Sequence, residues 1–145
     1  MSTDELDDEI TTLLRRAEQR YTKGRRALVA TLRSVGQPVT IPQILDASEG
    51  LAQSSVYRNL VVLEEAGVVT RIVTNDDFAR YELAERLTHH HHHLICSACG
   101  DVTDFSLGET AEARLDEALH EIAEQAGFTV ETHRLDLVGT CSNCD

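Results

Sequence analysis

Residues 40–83 read TIPQILDASEGLAQSSVYRNLVVLEEAGVVTRIVTNDDFARYEL, and this stretch decides the fold. Thr40 offers a helix cap, Pro42 suits a first turn, and Ile41, Ile44 and Leu45 fall on the inner side of a short helix. Gly50 breaks the chain. Over residues 53–66, Val56, Leu60, Leu63 and Ala66 recur at helical spacing, and Gly67 stops the helix they predict. The period then changes from helical to extended. Val68, Val69, Ile72 and Val73 lead into Asn75-Asp76-Asp77, which is turn chemistry, and on to a second strand from Arg80 to Leu83.

Upstream, Leu6, Ile10, Leu13, Leu14 and Ala17 predict an amphipathic helix from residue 4 to about 20 with Asp4 as its cap. Thr22 caps a second helix, with Ala27, Leu28, Thr31 and Leu32 facing inward and Gly36 and Pro38 ending it. One helix in front, then three helices and a two-stranded wing, make a winged helix-turn-helix whose last helix, starting near Gln53, enters the major groove of DNA. Ser54 and Ser55 at its start, followed by Tyr57, Arg58 and Asn59, supply hydrogen-bonding groups for base edges and phosphates. Downstream the pattern is strand (89–96), strand (102–105), helix (109–126, ended by Gly127) and strand (129–138). The fold class expected is therefore α+β, divided as a winged-helix domain over residues 1–84 and a small α/β domain over 85–145.

The net charge of −12 hides an uneven distribution. Residues 1–9 carry −5, residues 10–75 carry +4 and residues 76–145 carry −11, so the predicted DNA-reading half is the basic one. No apolar run approaches the roughly 18 to 20 residues of a membrane helix. The acidic start lacks the basic and apolar segments of a secretory signal, which makes a cytoplasmic location the expectation.

Four cysteines stand in two C-x-x-C pairs, Cys96/Cys99 and Cys141/Cys144. In a reducing compartment that spacing favours metal over disulfide, and two such turns close a tetrahedral, structural Zn(II) site. Just before them run five histidines, His89 to His93. In an extended strand His91 and His93 point one way and His90 and His92 the other, so one strand supplies H-x-H halves to two metal ions. Candidates for the carboxylates and a further imidazole are Glu82, Asp104, Asp116, Glu117 and His133. Such mixed ligation suits Zn(II), Fe(II) or Mn(II). The sequence has no H-E-x-x-H, G-x-S-x-G, P-loop or G-x-G-x-x-G motif, so a binding protein is favoured over an enzyme.

These residues resemble the ferric uptake regulator family of metal-dependent repressors over nearly the whole chain. Thr22-x-x-Arg25, Ser55-Val56-Tyr57-Arg58-Asn59-Leu60, the run from His90 through Cys96-x-x-Cys99-Gly100, and His133-x-Leu135-x-Leu137-x-Gly139-x-Cys141 carry the likeness. The histidine-rich run is somewhat similar to the zinc-sensing branch. The resemblance implies a homodimer that binds a palindromic double-stranded operator and dimerises through its second half. It also implies DNA contacts from Arg20, Arg25, Tyr57 and Arg58, structural zinc on the four cysteines, and a sensory site of Glu82, His91, His93 and Asp104. A third site would use His90, His92 and His133 with Asp116 or Glu117. The match breaks at Gln37-Pro38-Val39, where family members often place a sensory histidine, and Asp76 or Asp77 are candidates to replace it. An iron-dependent peroxide sensor of the same fold is the alternative reading.

Overall fold

The computed structural model describes residues 1–74 and 76–145. The expected turn residue Asn75 lies outside the described residues. Helix α1 (Thr3–Arg16) buries Leu6, Ile10, Leu13 and Leu14 along one face. Its cap is Ser2 rather than Asp4: the Ser2 hydroxyl accepts from the Glu5 N–H, and the Glu5 carboxylate accepts from the Ser2 N–H. The helix also ends earlier than periodicity suggested. Glu18 takes a left-handed conformation (φ 58°), and the Gln19 N–H turns back to the Leu14 carbonyl, which closes the helix.

Helix α2 (Lys23–Val35) is capped by Thr22 and stopped by left-handed Gly36. Helix α3 (Ile41–Ala47) carries the Thr40/Gln43 capping box with proline in its first turn. Helix α4 (Gln53–Glu65) buries Val56, Leu60 and Leu63. Strands β1 (Val69–Val73) and β2 (Ala79–Leu83) form the antiparallel wing, in register from Val69 opposite Leu83 to Val73 opposite Ala79. Val39, in the α2–α3 connection, exchanges both backbone hydrogen bonds with Tyr81 and ties the wing to the helices. One aliphatic core, from Leu6 to Leu87, joins all of these elements.

A 3-10 turn (Glu85–Leu87) leads into the second half, with Leu87 still rooted in that core. There β3 (His92–Cys96) is the middle strand, antiparallel to β4 (Val102–Phe105) and parallel to β5 (Asp136–Gly139). Helix α5 (Glu109–Gln125) forms the crossover between β4 and β5. Two expected strands are shorter than patterning implied. The His91 N–H goes to the Glu85 carboxylate, so sheet pairing begins only at His92, and β5 pairs only over the four residues opposite His93–Cys96.

The two halves differ in what they bury. Beyond Leu87, the buried set among the described residues of the second half is His91, His92, His93, Cys96, Gly100, Val102 and Ala123. Apolar groups there stay outside instead: Val138 and Phe128 are each 68% exposed, and Leu94, Leu137 and Ile122 are also open. The second half thus has imidazoles inside and a row of apolar groups left open at its surface.

The halves also touch at the wing. Arg80, buried in β2, holds both carboxylate oxygens of Asp76 at 2.9 and 3.0 Å. That guanidinium holds the Asp76 carboxyl down at about 2. Asp76 in turn lies against left-handed Gly100, where an added Cβ would come 2.1 Å from Asp76 Oδ2. Asp76 is therefore committed to Arg80 and Gly100, and Asp77 is exposed. Neither replaces the absent loop histidine.

Candidate metal centres and nucleic-acid interface

Three groups of ligand atoms come together, each with all its donor atoms within 4.8 Å of one another: Cys96/Cys99/Cys141/Cys144, Glu82/His91/His93/Asp104 and His90/His92/Glu112/His133. The alternation of the histidine run extends two residues before the strand itself, to His91 and His90, so odd and even members serve different groups.

In the cysteine group the turn after β3 brings Cys96 and Cys99 together, and the turn after β5 brings Cys141 and Cys144 against them. Backbone N–H groups of Cys141 and Cys99 point at Cys96 Sγ, each at 3.4 Å, and lower its pKa to about 6. The neighbouring sulfurs push the Cys144 thiol up to about 12. Four thiolates cannot ionise side by side without a cation between them, and the all-sulfur set with no other donor fits Zn(II).

In the second group Glu82 Oε1, on β2, lies 3.0 Å from His91 Nε2 and 2.7 Å from His93 Nε2. Asp104, on β4 opposite His93, completes it. Burial and the adjacent Glu82 push the Asp104 carboxyl up to about 7, and its Oδ1 is buried without a hydrogen bond. Burial alone would raise Glu82, but hydrogen bonds from His93, Asp104 and His91 overcome it and lower its pKa. Two carboxyls crowded with two imidazoles, one oxygen without a hydrogen bond, fit a divalent cation with nitrogen and oxygen ligands. The site spans the two halves. Gln37, in the loop where the resemblance fails, lines a cavity of about 150 Å³ beside Glu82, His91 and Asp104.

The third group corrects the ligand reading. Glu112 stands with the histidines, Oε1 2.8 Å from His90 Nε2 and 2.7 Å from His133 Nε2, and Oε2 2.9 Å from His92 Nε2. Asp116, one turn along α5, lies behind, 3.1 Å from His133 Nδ1, and Glu117 is not in the group. His90 Nε2 and His133 Nε2 face each other at 3.0 Å.

Of the five imidazoles in these two groups, all but His92 are anchored from behind through Nδ1. His91 donates to its neighbour's carbonyl (His89 O, 2.7 Å), His93 Nδ1 lies 3.3 Å from Asp136, His90 Nδ1 2.7 Å from Glu85, and His133 Nδ1 meets Asp116. This leaves each Nε2 aimed inward, the outer-shell arrangement that orients metal-binding histidines. His92 is the exception, its Nδ1 buried without a partner and its ring held by His133 and Phe105.

On the other half, α4 exposes Ser54, Tyr57 and Arg58, and Tyr57 is 57% exposed. Arg20 is also exposed. Ser55 is half-buried and accepts from Asn59 Nδ2, so it faces the scaffold more than solvent. Arg25 is placed differently from a free phosphate contact. Its guanidinium donates to Asn59 Oδ1 (3.1 Å), Gln19 Oε1 (3.3 Å) and the Arg20 carbonyl (2.7 Å), which ties α2 to α4.

A profile of the ferric uptake regulator family matches residues 16–138. The chain belongs to this family. The peroxide operon regulator of Bacillus subtilis (strain 168) is 33% identical to this family member over 149 residues, which cover 99% of this chain and 96% of that one. Among solved structures, the ferric uptake regulator of Helicobacter pylori superposes with a TM-score of 0.74 over 99% of this chain and 94% of that one, at 23% identity. The ferric uptake regulator from Pseudomonas aeruginosa with manganese is 26% identical, with a TM-score of 0.69 over 90% and 96%. This family member shares with them an N-terminal winged helix joined to a C-terminal α/β unit. No helix among its described residues is long and apolar enough to cross a membrane.

Proposed function

We propose that this Fur-family chain is a cytoplasmic, metal-responsive repressor, a binding protein and not an enzyme, which grips a palindromic operator as a homodimer when the Glu82/His91/His93/Asp104 site is loaded. The observation that carries this reading is the placement of that site, with Glu82 on the wing and the other three donors on the second half. A cation there bonds to both halves at once. Its differential affinity for one arrangement of the halves supplies the coupling, typically about 1 to 3 kcal/mol.

Cys96, Cys99, Cys141 and Cys144 hold structural Zn(II), and His90, His92, Glu112 and His133 hold a further divalent cation, with Asp116 behind His133. We place the division between a DNA-binding domain, 1–84, and a dimerisation domain, 85–145, at the Glu85–Leu87 turn. The open aliphatic groups of β3, β5 and α5 are the surface a second copy covers, and pairing two wings sets the half-site spacing. The deciding test is fluorescence anisotropy on DNA from upstream of the chain's own gene. Protein with its cysteine-bound zinc intact should bind tightly with added Zn(II), Mn(II) or Fe(II) and weakly after mild chelation. Equal binding in both states would overturn the switch and leave the metals structural.

Tyr57, Arg58, Ser54 and Arg20 face the DNA, and Arg25 sets the angle of α4 from behind. Arg58→Ala should weaken operator binding by about 1 to 3 kcal/mol with an unchanged melting curve, because the side chain is exposed and its hydrogen bond stays within α4. A loss of folded structure would instead mark Arg58 as a packing residue.

The name of the Bacillus subtilis relative favours a second reading, peroxide sensing at the same site. Iron bound there would supply the electrons that cleave peroxide. Histidine and carboxylate ligation permits this, and the oxidant's nearest targets are His91 and His93. Peroxide treatment of the iron-loaded protein should then add the mass of one oxygen atom to a peptide containing residues 89–93. An unmodified peptide, with repression intact, leaves metal sensing alone.

A further inference from the structure

We infer that Glu85 is a positioning residue that couples the His90/His92/Glu112/His133 cluster to the Glu82/His91/His93/Asp104 cluster, so that filling one site raises the affinity of the other. The inference rests on reading both clusters as metal sites. Glu85 Oε1 lies 2.7 Å from His90 Nδ1 and also accepts the backbone N–H of His91 at 3.1 Å. Consecutive residues thus send their rings to opposite sites while one oxygen grips both.

The grip has a fixed base. Glu85 opens the 3-10 turn whose Leu87 is buried in the N-terminal core, two residues after the end of β2, which carries Glu82. Glu85, Glu82, His91, His93 and His133 also border one cavity of about 260 Å³. A cation at His90 Nε2 withdraws charge from the ring and makes its Nδ1–H a stronger donor, which tightens the bond to Glu85. Glu85 then holds the His91 peptide, and with it the origin of the His91 ring, in one position. The second site meets its cation with less ordering left to do.

The test is a double-mutant cycle by calorimetric Co(II) titration of the full-length chain with zinc on its cysteines. In the native background, His133→Ala should weaken Co(II) binding at the Glu82 site about tenfold, within the usual range of coupling between sites. In a Glu85→Ala background the same substitution should leave that affinity unchanged. Glu85→Gln keeps an acceptor oxygen but loses the charge that roughly doubles such a bond, and should give an intermediate loss of about threefold. Circular dichroism and dimer size should match native in each case.

A full tenfold effect surviving in Glu85→Gln, or an equal effect with and without Glu85, would overturn the role of this residue. No effect of His133→Ala in the native background would show the sites to be independent. Both leave the metal sites themselves standing. Failure of the native chain to bind Co(II) beyond its zinc would instead overturn the reading on which the inference rests.

Discussion

Glu82→Ala should abolish metal-dependent operator binding while leaving a folded, zinc-containing dimer. One Glu82 oxygen lies between His91 Nε2 and His93 Nε2, and among the described residues Glu82 is the donor of the site that comes from the wing. Loss of an outer-shell partner commonly costs 10- to 100-fold in metal affinity, so loss of this inner donor should cost about 100-fold or more. What remains, two imidazoles and Asp104, can still attract a cation to the second half. It no longer bonds that cation to the DNA-reading half. Calorimetry should therefore show weakened residual binding, and anisotropy should show the same DNA affinity with and without metal. A variant that still switches would place the sensing function in the His90/His92/Glu112/His133 cluster.

Cys96→Ser should have a different and larger effect, on the fold itself. The second half buries little aliphatic surface, and its buried cysteine is the sulfur to which the backbones of both turns point. Structural zinc in small domains contributes on the order of 10 kcal/mol or more of apparent folding free energy. Without it, the turn after β5 has no covalent or ionic tie to the turn after β3. Circular dichroism should lose the signal of the second half, and size exclusion should report monomer or aggregate. The α1–α4 core should persist, because its buried cluster is built of residues from Leu6 to Leu87 and includes none of the four cysteines. A stable dimer without zinc would show that the sheet and α5 suffice.

Much of this was legible in the residues, for reasons that can be located. The caps Thr22 and Thr40 and the stop at Gly36 act within a few residues of themselves, so local reading finds them. The C-x-x-C pairs and the alternating histidines carry their geometry in their spacing. Glu112 was missed because it comes from a separate helix and shares a face with Asp116, and only the docking of α5 decides which of the two points inward. Glu85 gave no signal at all, being an acidic residue in a connecting turn. Arg25 came from the resemblance at Thr22-x-x-Arg25, and spacing alone could not show that its guanidinium also engages Asn59, Gln19 and the Arg20 carbonyl.

The close approach of Gly100 and Asp76 sets a clearance. Where the tip of the wing meets the cysteine turn, the space left is smaller than a methyl group. The hairpin therefore cannot settle deeper against the second half without displacing Asp76, which is held by Arg80, two residues before Glu82 on β2. The cysteine turn abuts the wing directly, and any side chain at position 100 would have to dislodge Asp76 from the grip of Arg80.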